Sequence, residues 1–208
     1  IKDAINSNQL KIFNSKWLDY TESLKRLDKE TQKTLYLYLL SDGREVIDDV
    51  IYFLASSKRY FRDYISDPVI ERIYKKANLV RREIHRFKGF LRFREIEGGY
   101  LYAKFSPDFN VIIPIANYFA DRLRNEKVLI HDIKRDVAAF CHKGKVLSAK
   151  IEDKVPNLTN SEKEIARLWL KYFDDISIKD RLNLKIQRQR VPLKYRKSII
   201  EFTKRAER

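Results

Sequence analysis

Between residues 89 and 105 the hydrophobic period of the chain changes, and that change separates what can fold as helix from what can pair as sheet. Upstream, apolar residues recur at helical spacing. Val46, Ile47, Val50, Ile51 and Leu54 follow the pattern of a buried helical stripe, and Ile73, Ala77 and Val80 carry another beyond Asp67-Pro68. From Gly89 to Glu97 apolar and charged residues alternate instead; Gly98-Gly99 then supplies a two-residue turn, and Tyr100 to Phe105 returns. Alternation on both sides of a Gly-Gly turn predicts a β-hairpin.

The other elements follow from local signals. Ser15 to Leu27 reads as a helix with Leu18, Leu24 and Leu27 near one face, and Asp28 as the N-cap of the next, which ends at Ser41-Asp42-Gly43. Asp67 caps and Pro68 opens a helix running to His85. Ile113 to Arg124 predicts a helix, Val128–Asp132 and Val137–His142 predict strands, and Val146–Ile151 pairs back across a turn at His142 to Lys145. Thr159-Asn160-Ser161 caps a helix from Glu162 to Asp174, and a last helix follows Val191-Pro192. The expected class is α+β in a single domain, 1–208. A helical part spans 1–88 and a mixed part 89–208, with a small central antiparallel sheet between N- and C-terminal helices.

Charge narrows the partners. The chain carries +15 at neutral pH. Residues 81–94 hold six Lys/Arg against Glu83, net +5, and residues 176–208 hold eleven against Asp180, Glu201 and Glu207, net +8. Charge concentrated in this way points to a polyanion, nucleic acid before an acidic membrane surface. No apolar run reaches the roughly 20 residues of a membrane span, and the opening Ile1-Lys2-Asp3-Ala4 lacks the apolar region of a secretory signal. One cysteine, Cys141, excludes an internal disulfide, so a reducing, cytoplasmic setting is expected.

Glu83-Ile84-His85-Arg86-Phe87-Lys88-Gly89-Phe90-Leu91-Arg92-Phe93 resembles the E-x-H-R-x-K-x-F-x-R-F block of a bacterial family of unknown function. Further blocks follow in order: Ser106-Pro107-Asp108, Asn117 to Arg122, Val128 to Arg135, Leu168 to Phe173, Ile178 to Asn183 and Pro192 to Tyr195. Asn117 stands where the family pattern has His. The resemblance covers residues 45–202. It implies a DNA metabolism or DNA repair protein associated with a radical-SAM protein and, in some members, fused to a uracil-DNA-glycosylase-like domain.

Read from the residues, Arg82 and Arg86 are helical neighbours four apart, with Lys88 close behind, while Arg92 and Arg94 share one face of a strand. Together they suit phosphate contact, against the alternative of a solvated face with ion pairs to Glu83 and Glu95. The tail Arg181, Lys185, Arg188, Arg190 and Lys194 interleaves with Leu182, Leu184 and Ile186, as in an extended arm or a basic-faced strand. Asn183, Gln187 and Gln189 are candidates for base edges. Tyr195 and Phe202 are candidates for stacking on bases, with core packing the stronger expectation.

The catalytic candidates are His85, His131 and Asp132. His85 with Asp132 would form an acid–base pair and Arg135 would hold an anion; the competing reading of a strand-end His-Asp is structural. Cys141-His142 lacks the spacing of a zinc site. With no Walker A, G-x-G-x-x-G or G-x-S-x-G motif, no cofactor or metal is expected. The function expected is a nucleic-acid-binding accessory protein, DNA first; the alternative is a DNA-acting enzyme of glycosylase-like or hydrolytic type.

Overall fold

Helix α1, Lys29–Leu39, begins where Asp28 accepts hydrogen bonds from the amides of Glu30 at 2.9 Å and Thr31 at 3.1 Å. These are donors that the first helical turn leaves without an internal partner. The computed structural model describes residues 24–56, 66–151, 157–196 and 198–203. Most of the helix expected from Ser15 lies outside the described residues, as does the basic end 204–208. Two compact units emerge, one comprising the described residues up to His85 with 108–111, the other Arg86–Pro107 and the residues from Ile112 onward.

In the first unit α1 ends near Asp42, whose φ of 55° lies in the left-handed region that turns favour. Helix α2, Val46–Ala55, buries Val46, Asp49 and Phe53 rather than the stripe expected from its apolar residues. An aspartate enters the buried face because it is fully bonded. The Tyr38 hydroxyl donates to Asp49 Oδ2, Arg72 Nε donates to the same oxygen at 2.7 Å, and Arg72 Nη2 to Oδ1 at 2.5 Å. Burial works to raise the Asp49 carboxyl, but the bonds from Arg72 and Tyr38 outweigh it and hold the group below its usual range. Burial and the neighbouring carboxylate push the Tyr38 phenol up.

Helix α3, Pro68–Phe90, starts as expected, with Asp67 Oδ1 accepting from Val69 at 2.9 Å and Ile70 at 3.4 Å. It runs past His85, the expected end, because the apolar spacing Ile73, Ala77, Val80, Ile84, Phe87 keeps one face buried. Glu83 lies on that buried face and accepts the amides of Asp108 at 3.0 Å and Phe109 at 2.9 Å.

The second unit carries a five-stranded sheet in the order β1 (Arg94–Ile96), β2 (Tyr100–Phe105), β3 (Val128–Asp132), β4 (Val137–His142), β5 (Lys145–Lys150). The fold is α+β. The hairpin forms, with Gly98 and Gly99 at φ of 90° and 73°. Its first strand begins only at Arg94, because α3 claims Gly89 and Phe90. Arg92 therefore lies outside the strand in which it was expected to share a face with Arg94.

Three joints of the sheet are antiparallel, but β2 and β3 run parallel, with Leu101 opposite Val128 and Phe105 opposite Asp132. A parallel joint needs a crossover. Helix α4, Ile112–Arg122, provides it and buries Ile112, Ile115, Ala116, Phe119 and Ala120. Cys141 is buried, its thiol pushed up to about 11 by that burial.

Helix α5, Asn160–Asp175, is capped by Thr159, whose hydroxyl accepts from the Glu162 amide at 3.2 Å. Beyond it the expected arm or strand is absent. Residues Lys179–Arg181 form a 3₁₀ turn and Leu184–Arg190 form helix α6, capped by Asn183 accepting from Ile186 at 3.0 Å. The alternation of Leu182, Leu184 and Ile186 buries nothing, as all three stay more than half exposed. The last expected helix is two short ones, α7 (Leu193–Arg196) and α8 (Ile200–Thr203). Among the described residues no helix is long and apolar enough to cross a membrane.

Replacing Asp49 by Ala leaves the Tyr38 hydroxyl without its acceptor and Arg72 without its carboxylate. The expected loss is about 1–3 kcal/mol of stability, Arg72 being partly solvated. Because the folded carboxyl lies below its unfolded value near 4, its contribution is present above that pH and is lost as pH falls through the lower folded value. Urea midpoints of wild type and Asp49→Ala should therefore converge on acidification toward pH 3.

Candidate nucleic-acid interface

Tyr195, on α7, is buried and lies beneath two of the second unit's basic residues. Its ring meets Phe87 edge-on at 5.0 Å between centroids and Phe90 at 5.3 Å, while Phe87 meets Phe105 of β2 at 4.9 Å. Edge-to-face geometry at these distances adds attraction beyond the area buried. The contacts seat α7 between the end of α3 and the sheet. Two cations lie over the same ring, Arg86 at 5.6 Å and Lys194 at 4.9 Å. One comes from each of the two basic segments.

Ion pairs sort the remaining basic candidates. Arg94 Nε donates to Glu162 Oε1 at 2.9 Å, and Arg92 reaches Glu201 at 3.4 Å and the Gly89 carbonyl at 2.9 Å. Lys88 sits over the Tyr118 ring at 4.5 Å. Arg86, Arg181, Lys185, Arg188 and Arg190 are exposed and form no ion pair with a described carboxylate. In the first unit Arg82 and His85 are exposed on α3.

At the end of β3, Asp132 is fully buried, with Oδ1 accepting from the Lys134 amide at 3.0 Å and Oδ2 from Arg135 Nη1 at 3.0 Å. Arg135 also reaches the Pro107 carbonyl at 3.4 Å. These bonds tie the strand end to the turn that follows it. His131 Nδ1 and the Tyr102 hydroxyl are hydrogen-bonded at 2.9 Å, and Nε2 is buried without a partner among the described residues. Burial depresses the His131 imidazole; Asp136 and Asp132 oppose the shift and Lys104 adds to it. His85 belongs to the first unit and Asp132 to the second, where both carboxylate oxygens are already bonded. Among the described residues no group of three His, Cys, Asp or Glu side chains is arranged to hold a metal ion.

Several roles escape the sequence. Glu83 lies between Val80 and Phe87 on the apolar face of α3, and that position is the signal for its burial. The Asp132–Arg135 spacing of three places the two side chains in an ion pair, where the sequence suggests acid–base and anion-binding roles. Asn183 Oδ1 caps a helix by accepting from the Ile186 amide.

A family model described as Domain of unknown function (DUF4130) matches residues 29–201, and the chain belongs to that family. No curated protein and no solved structure matches it.

If the Tyr195 ring organises this surface, Tyr195→Ala should cost about 3–5 kcal/mol in a denaturant melt, as truncating a buried aromatic does. Tyr195→Phe, which keeps the ring, should melt close to wild type.

Proposed function

We propose that this family member is a nucleic-acid-binding accessory protein of DNA metabolism or repair, with DNA as its first substrate. The observation that carries the reading is the meeting of Arg86 and Lys194 over one buried ring. It draws the 86–94 part of the first basic run and the basic tail, far apart in sequence, onto one unit. Arg181, Lys185, Arg188 and Arg190 extend the positive charge, with no ion pair to a carboxylate among the described residues. Charges of this kind suit phosphates, which set affinity and position without reading sequence. The reading takes the protein to act in the cytoplasm beside an enzymatic partner, for which the resemblance suggests a radical-SAM protein. Against the enzymatic alternative stands Asp132, buried and bonded to Lys134 and Arg135.

Fluorescence anisotropy with labelled duplex DNA, single-stranded DNA and RNA across a salt series tests the proposal. Each phosphate contact on duplex should contribute about −0.9 to the slope of log K against log salt. Arg188→Glu and Arg190→Glu change exposed positions, so thermal melting should be unaltered, whereas Arg86→Glu also gives up its contact with the Tyr195 ring and should melt slightly lower. Each should weaken binding to all sequences alike and flatten the slope by about one. Absence of binding at low salt would overturn the reading.

A further inference from the structure

Helix α5 leaves an apolar side uncovered. At 100° per residue, Ile165, Leu168, Trp169, Tyr172 and the C-cap Ile176 fall within an arc of about 100°. Each is between 44 and 60% exposed. The neighbouring arc does the packing. Glu162 bonds Arg94 and the Glu95 amide, and Ala166 is buried. The helix therefore has one arc that meets its own unit through Glu162 and Ala166, and beside it an apolar arc that stays exposed. Isolated exposed apolar residues are ordinary; five along three turns form a patch of the kind that marks an interaction surface. Ile178 and Leu182 prolong it, and Arg181, Lys185, Arg188 and Arg190 follow directly in the chain.

Charge and shape select the occupant. A second copy in an isologous contact would oppose this face to itself and bring another +15 beside the same basic run. Nucleic acid would stack bases on Trp169 and Tyr172, but three of the five stripe residues are branched aliphatics that offer no ring plane. An amphipathic protein segment with acidic flanks satisfies both features, setting apolar side chains on the stripe and carboxylates over the basic run.

We propose that the α5 stripe is the docking face for an acidic amphipathic helix of a partner protein, about 17 Å long to match residues 165–176. The inference does not require the nucleic-acid reading; because both place acidic groups on Arg181, Lys185, Arg188 and Arg190, the two ligands would compete for that run.

The test uses the full chain carrying Trp17→Phe, so that Trp169 is its sole tryptophan. The probe is a synthetic peptide with Leu at helical spacing and Glu at its other positions. Two controls accompany it, one with Lys in place of Glu and one with the same residues in scrambled order. The expected result is a blue shift of Trp169 emission and saturable binding with the acidic amphipathic peptide alone. Leu168→Glu and Ile165→Ser, both at exposed positions, should weaken it about tenfold or more while leaving the melting temperature unchanged. Three results would overturn the proposal: equal binding of the scrambled peptide, binding indifferent to both substitutions, or no binding. So would sedimentation showing a dimer that Leu168→Glu dissociates, which would assign the face to a second copy. A Trp169 response to single-stranded DNA that Leu168→Glu abolishes would assign it to nucleic acid.

Discussion

The packing of Tyr195 against Phe87 and Phe90 is the contact that seats α7, and with it Lys194, on the second unit. It joins a residue near the C-terminal end of the described chain to the last turn of α3, and through Phe87 to the sheet. With that ring in place, Arg86 and Lys194 both lie over it, and the attraction of each cation for the ring offsets part of the cost of gathering like charges. Electrostatics alone would spread such charges apart; aromatic packing brings them together.

Other basic residues that look equivalent in sequence are assigned different work. Arg94, Arg92 and Arg135 neutralise Glu162, Glu201 and Asp132, tying β1 to α5, the end of α3 to α8, and the end of β3 to its turn. Arg181, Lys185, Arg188 and Arg190 make no such pair among the described residues and are exposed. The same division appears in the first unit, where Arg72 is spent on Asp49 while Arg82 faces solvent. An arginine with a buried carboxylate partner contributes to the fold, and one without such a partner remains open to a polyanion.

Features encoded within a few residues were legible in the sequence. Asp28, Asp67 and Thr159 cap the helices they were expected to open, Gly98-Gly99 makes its turn, and β3 and β4 occupy the expected residues. Features set by distant partners were not. Asp49 is buried because Arg72, 23 positions away, neutralises it. The parallel pairing of β2 with β3 depends on where α4 packs. Residues 184–190 alternate like a strand but have no core face to cover, and the Asn183 cap turns them into a helix. Of the candidate site, the two charge clusters could be read directly, whereas their meeting could not, because the residue joining them is an uncharged tyrosine.

Cross-linking of a photoreactive DNA oligonucleotide to the protein, followed by peptide mapping, tests the central claim most directly. The account predicts adducts on both the 86–94 peptide and the 181–194 peptide from one oligonucleotide, with the pair lost together in Tyr195→Ala. Adducts confined to one segment, or unchanged by the loss of Tyr195, would contradict the claim that this ring assembles a single nucleic-acid surface.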